Sequence, residues 1–168
     1  MATAVLLHPH PDMGGNQDNN VVVALRDALE AAGVATRRFD FGSADVAAAQ
    51  ARTIAEIEAA EAPVFLIGYS FGGGIAASID HPALAGWGLV APALRLAEPV
   101  IGADPRPKHV VAAEHDAWFS PEALAETTDD WVATTHGAVP DTDHFFAGAA
   151  AEAAAEQIAA FVLARLDG

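Results

Sequence analysis

The sequence contains no cysteine, which excludes disulfide bonds and a thiol nucleophile. It holds a single lysine, Lys108, and only 8 basic residues against 23 acidic ones, for a net charge of -15. A field of that sign repels phosphate backbones and anionic bilayers, so neither nucleic acid nor a membrane is an expected partner. The acid excess itself reads as a solvated surface. No apolar run approaches the roughly 20 residues of a membrane span. The opening MATAVLLH has neither the basic segment nor the long apolar stretch of a secretory signal, and the expected location is cytoplasmic.

What is present is enough for one substantial core. A chain of 168 residues fits a single domain, 1–168, and can bury about two-thirds of its unfolded surface. Hydrophobic residues make up 52% of it against 18% charged, and about a quarter of the chain is alanine, which favours helix.

Six short apolar runs alternate with longer segments of helical period. The runs are Thr3 to His8, Val34 to Phe41, Val64 to Tyr69, Gly86 to Ala91, His109 to Ala113 and a weaker one at Gly137 to Val139. Between them, Asp18 or Asn19 can cap a helix that runs to Ala32 and stops at Gly33, with Val22, Leu25 and Leu29 on its inward face. Further helices are expected over Ala44 to Ala60, Gly72 to Ile79, from Ser120-Pro121-Glu122 onward, and over Gly148 to Leu166. This alternation predicts the α/β class: a three-layer α/β/α sandwich around a mostly parallel sheet of about six strands.

In such sheets the ligand crevice lies at the C-terminal ends of the strands, so the loops there carry the chemistry. After the third run comes Gly68-Tyr69-Ser70-Phe71-Gly72-Gly73, a G-x-S-x-G pattern between a strand and a helix. A serine on that sharp turn needs glycines two residues to either side, where side chains would collide. No lysine follows the glycines, so it is not a phosphate-binding loop of the GxxxxGK type. A serine hydroxyl is a weak nucleophile until a base takes its proton, and a histidine held by a carboxylate is the usual solution. Downstream, Ala113-Glu114-His115-Asp116-Ala117-Trp118-Phe119 offers Asp116 as orienting acid, with Glu114 as its competitor. Asp141-Thr142-Asp143-His144-Phe145-Phe146 offers His144 as base, with Asp143 as a turn former. An aspartate at the position of Asp116 also suits backbone N–H capping. His81, His109, His115 and His136 have no assigned role in the chemistry.

The order Ser70, Asp116, His144 is that of the α/β-hydrolase triad. With a first strand ending in HPHP before glycines, a GYSFG elbow and a DHFF segment, the chain resembles the small, lidless serine hydrolases of the dienelactone-hydrolase-like group. The resemblance covers nearly the whole sequence. It implies a minimal α/β-hydrolase fold without a lid domain, no cofactor, and an oxyanion hole of two backbone N–H groups. One would be that of Phe71, after the nucleophile. The other would come from Leu7-His8-Pro9-His10-Pro11-Asp12-Met13-Gly14-Gly15, where two prolines have no N–H and His10 leads Asp12 and Met13 as donor. Relatives usually carry an arginine- and glycine-rich turn after the second strand, whereas here RFDFGSADVAAA moves quickly into helix.

A competing reading takes His8, His10 and Asp12 as metal ligands, the start of an H-x-H-x-D-H signature whose sixth residue is here Met13. The preferred reading has no metal. It is a serine hydrolase acting on a small ester or thioester, with Met13, Tyr69, Trp118, Phe119 and Phe145 flanking the site. Pro92 to Lys108 is too short for a helical lid, so the site should be open. A non-catalytic α/β scaffold that keeps the elbow only as a binding pocket is the rival from another class. Oligomeric state is not legible in the sequence.

Overall fold

The computed structural model describes residues 1–168. Six parallel strands form one sheet: β1 (Thr3–Leu7), β2 (Ala35–Arg38), β3 (Val64–Tyr69), β4 (Leu84–Val90), β5 (Lys108–Ala113) and β6 (Thr134–Val139). Their spatial order is β2-β1-β3-β4-β5-β6. Five helices connect or follow them: α1 (Asn20–Ala31), α2 (Val46–Glu58), α3 (Phe71–Ala77), α4 (Pro121–Thr128) and α5 (Ala149–Leu166).

Period-two alternation in the inner strands feeds two cores. Ala4 and Leu6 of β1 join Phe65, Ile67 and Tyr69 of β3 in a cluster closed by α1 and α5. Val5 and Leu7, with Val64 and Leu66, face the cluster closed by α2, α3 and α4. The three-layer sandwich with a parallel sheet, expected from the alternation, is the observed architecture. Helix starts also fall where their capping residues place them: Asn19 accepts from the N–H groups of Val21 and Val22, Asp45 from Ala48, and Ser120 from Ala123. Gly33 takes a left-handed φ of 81° behind α1.

Two strands depart from expectation. Only Ala35–Arg38 of the predicted Val34 to Phe41 pairs in the sheet. Phe39 and Phe41 instead turn into the core as loop residues. At the other edge β6 begins three residues earlier than Gly137, because Thr134, Thr135 and His136 pair with β5 although their side chains are largely solvated. The long segment between β4 and β5 contains no helix, so no helical lid covers the sheet's C-terminal edge.

That edge has a switch point. The chain leaves β1 to form β2 on one side and returns to form β3 on the other, opening a crevice where the β1 and β3 loops diverge.

Candidate active site

The crevice gathers loops that the sequence separates widely. Ser70 follows β3 directly with φ 54° and ψ -115°, a conformation costly for a residue with a Cβ. Its surroundings fix it: its N–H donates to Val90 O, and its carbonyl accepts from Gly74 and Ala93. Two glycines make the turn possible. A Cβ on Gly68 would lie 2.2 Å from Gly72 O, and one on Gly72 would lie 2.4 Å from Leu7 O. The elbow therefore packs backbone to backbone against the end of β1, which brings the loop after β1 beside the start of α3.

Ser70 Oγ lies 2.8 Å from His144 Nε2, and His144 Nδ1 lies 2.6 Å from Asp116 Oδ2. All three residues are buried. Asp116 makes two sets of contacts at once. Its Oδ2 faces the imidazole while Oδ1 accepts from the N–H groups of Trp118 and Phe119, both at 2.9 Å. Backbone capping and imidazole holding, which compete as readings of the sequence, coexist on the two oxygens of one carboxylate. Its competitor Glu114 is turned away, accepting from the N–H of Asp141 at 2.7 Å on the exposed side. Asp143 serves its turn by accepting from the Phe145 N–H.

The His144 segment is held in an unusual path. Asp141 and Phe146 both have positive φ, 54° and 50°. Three anchors over-determine it. The Tyr69 hydroxyl donates to His144 O at 2.6 Å, Asn20 Nδ2 donates to Phe145 O and Phe146 O at 3.2 and 3.0 Å, and the His115 N–H donates to Thr142 O. Burial, with the negative charges of Asp116 and Asp143, pushes the Tyr69 hydroxyl far above its ordinary range, so it stays a donor. The Asn20 anchor could not be read from the sequence, since its partners lie more than a hundred residues away. Tyr69, expected only as a pocket wall, does line the cavity but reaches past it to brace the histidine loop.

The loop after β1 presents backbone rather than side chains. His8 is buried, its Nδ1 2.7 Å from Pro9 O and its Nε2 accepting from the Phe41 N–H at 2.9 Å. Both ring nitrogens are thus engaged by backbone, and desolvation holds the ring's pKa below its ordinary value. Neither nitrogen has a lone pair left for a metal. In the short 3-10 turn Pro11–Met13, the Asp12 N–H is taken by His10 Nδ1 and the Met13 N–H by His10 O. Of the three amides considered, only that of His10 makes no hydrogen bond within the protein. Phe71, first residue of α3, has an N–H with no acceptor one turn earlier in its helix. The His10 and Phe71 rings touch edge to face at 5.1 Å, so the two free amides belong to adjoining segments.

Over Ser70 opens a cavity of about 370 Å³. All five expected wall residues, Met13, Tyr69, Trp118, Phe119 and Phe145, line it, joined by Pro9, Ala93 and Leu96 that sequence reasoning did not find. Trp118, Phe119 and Phe145 surround His144, with ring centroids 5.0, 5.4 and 5.9 Å away. A larger groove of about 510 Å³ runs between α1 and α5, but it is lined mainly by alanines and surface acids and holds no nucleophile and base pair.

No protein family and no curated protein matches the chain by sequence. Among solved structures, a Xanthomonas campestris protein assigned to the α/β-hydrolase superfamily superposes with a TM-score of 0.79 at 25% identity, covering 98% of this chain and 99% of its own. The chain has the α/β-hydrolase fold. A second X. campestris protein, described as a serine hydrolase without lid, matches at TM-score 0.73 and 25% identity over 99% of this chain and 81% of that one. The esterase domain of a Rhodothermus marinus protein matches at 0.73 and 18% over 98% and 86%. The hydrolase fold without a lid, implied by the sequence resemblance, is the fold observed. No helix of this hydrolase-fold chain is long and apolar enough to cross a membrane.

Proposed function

We propose that the protein is a cofactor-independent serine hydrolase that cleaves small carboxylic esters or thioesters through an acyl-enzyme on Ser70. The observation that carries this reading is the unbroken relay from Ser70 Oγ to His144 Nε2 and from His144 Nδ1 to Asp116 Oδ2 at 2.8 and 2.6 Å. The esterase domain among its structural neighbours supports the reaction class.

In this mechanism Ser70 Oγ attacks the acyl carbon as its proton passes to His144 Nε2. The carbonyl oxygen becomes an oxyanion and accepts hydrogen bonds from the Phe71 and His10 N–H groups. Asp116 keeps the proton of Nδ1 in place and stabilises the imidazolium. As the tetrahedral intermediate collapses, the alcohol or thiol leaves with the proton of Nε2 and the acyl group remains on Ser70. Water then attacks the acyl-enzyme while Nε2 takes its proton. Ser70 departs with that proton, and the products are a carboxylic acid and an alcohol or thiol. Preorganised backbone donors supply much of the rate, and loss of one costs roughly a hundredfold or more.

Hydrolysis of p-nitrophenyl butyrate by wild type and Ser70→Ala tests this. The expected result is activity in wild type and a loss of at least about 1000-fold in the variant. Equal rates in the two proteins would refute it and favour a binding scaffold.

A further inference from the structure

Resting on the proposed ester hydrolysis, we infer that the enzyme is selective for uncharged, apolar acyl groups and discriminates strongly against acyl groups that carry a carboxylate. The sequence supplies only eight cations, and the fold commits almost all of them away from the crevice. Arg26 pairs with Asp27, Arg38 with Asp18, and both Arg37 and Arg52 with Glu56. Arg106 is held by Asp80 and Asp104, and the buried Lys108 ammonium donates to the carbonyls of Asp104 and Arg106 at the opposite end of the sheet. Arg165 lies over Phe161 near the end of α5. Arg95 alone comes near, in a small hollow behind Trp118 and Phe119, and it does not line the cavity.

The twelve residues that do line it include no lysine, arginine, aspartate or glutamate. The polar groups facing Ser70 are the His144 imidazole and the Phe71 and His10 amides, already assigned to the acyl carbon and its oxygen, and the His10 imidazole, whose Nδ1 is taken by the Asp12 N–H. A carboxylate placed further along the acyl chain would meet Met13, Leu96, Trp118 and Phe145 instead. These side chains are exposed by 71, 48, 51 and 55%, so the mouth of the cavity is apolar out to its rim. Such a surface stays clear of solvent when an apolar acyl or aryl group covers it, and it offers a carboxylate nothing in exchange for lost water. The net charge of -15 adds a long-range repulsion of the same sign.

The test compares p-nitrophenyl hexanoate with mono-p-nitrophenyl adipate, which share the leaving group and the six-carbon acyl chain and differ by the terminal carboxylate. The hexanoate should be preferred by roughly 100-fold or more in kcat/KM. In 1 M NaCl, where the screening length falls to about 3 Å, the preference should shrink yet stay above about tenfold, because the part due to the apolar cavity is not screened. A cation on the rim, Leu96→Arg or, should that variant not fold, Met13→Arg, should narrow the preference at least about tenfold by raising turnover of the adipate. Comparable rates for both esters, or a preference abolished by salt, overturn the inference while leaving Ser70-dependent hydrolysis intact. Absence of Ser70-dependent turnover of either ester instead defeats the hydrolase reading on which it rests.

Discussion

Replacing Asp116 by Asn separates orientation from packing. The side chain is fully enclosed, with three hydrogen-bond contacts that all call for an acceptor: two backbone N–H groups on Oδ1 and the Nδ1 proton on Oδ2. An amide offers an acceptor on one side only. If its oxygen faces His144, the NH2 group meets the N–H groups of Trp118 and Phe119 and two buried donors go unpaired, at about 1–3 kcal/mol each. The opposite orientation keeps those two bonds and turns the NH2 group on Nδ1. The imidazole then carries its proton on Nε2, where it cannot accept from Ser70. Because the second arrangement avoids two unpaired donors, Asp116→Asn should fold with a Tm lowered by only a few degrees. It should lose roughly 10,000-fold in kcat, the scale set by a wrong tautomer. Ester hydrolysis, thermal unfolding and the ¹⁵N shifts of His144 read the three consequences in one variant. A stable Asp116→Asn protein within tenfold of wild-type activity would falsify the assignment of Asp116 as the orienting acid.

Other outcomes follow from the same geometry. His10→Ala keeps the backbone donor and should retain activity within about tenfold, whereas His10→Pro removes the N–H and should cost roughly a hundredfold or more in kcat; equal losses in a steady-state assay would mean the imidazole matters instead. Tyr69→Phe leaves the buried His144 carbonyl without its donor, a loss of about 1–3 kcal/mol that should lower Tm by roughly 2–12 °C and reduce kcat more than it changes KM. Burial lowers the folded pKa of His8 below the ordinary 6.5, so the unfolded state binds the proton more readily. The stability conferred by neutral His8 is therefore present above about pH 6.5 and lost as pH falls below it. In His8→Gln the difference in Tm between pH 7.5 and 5.5 should be smaller than in wild type, and an unchanged slope would contradict the role given to the ring.

Much of this was legible in the sequence because it depends on local patterns. Asn19 and Ser120 cap helices through bonds to residues two or three positions away, and Gly68 and Gly72 are required by a turn only five residues long. The candidate triad residues were found because their loops follow strands in a known order. What stayed hidden depends on distance or on exposure. Phe39 and Phe41 read as strand because they are apolar, yet Phe41 packs on Phe71 and on His8, 33 residues before it, and Phe39 packs on Phe41. The same pairing turns His8 from an apparent metal ligand into a brace for the loop after β2. Thr134, Thr135 and His136 fell outside the expected run because they are polar, and an edge strand needs no apolar face to pair. Tyr69 could be seen as a pocket wall and Asn20 as lying in the first turn of a helix, but neither as an anchor of the His144 loop, since both bonds close only in three dimensions.

Labelling with a fluorophosphonate, read by intact mass and peptide mapping, tests the assignment of Ser70 as a nucleophile activated by His144. One adduct per chain is expected on Ser70, absent in Ser70→Ala and formed at least about 1000-fold more slowly in His144→Ala. Folded wild-type protein that stays unlabelled, or a label that persists in Ser70→Ala, would contradict it.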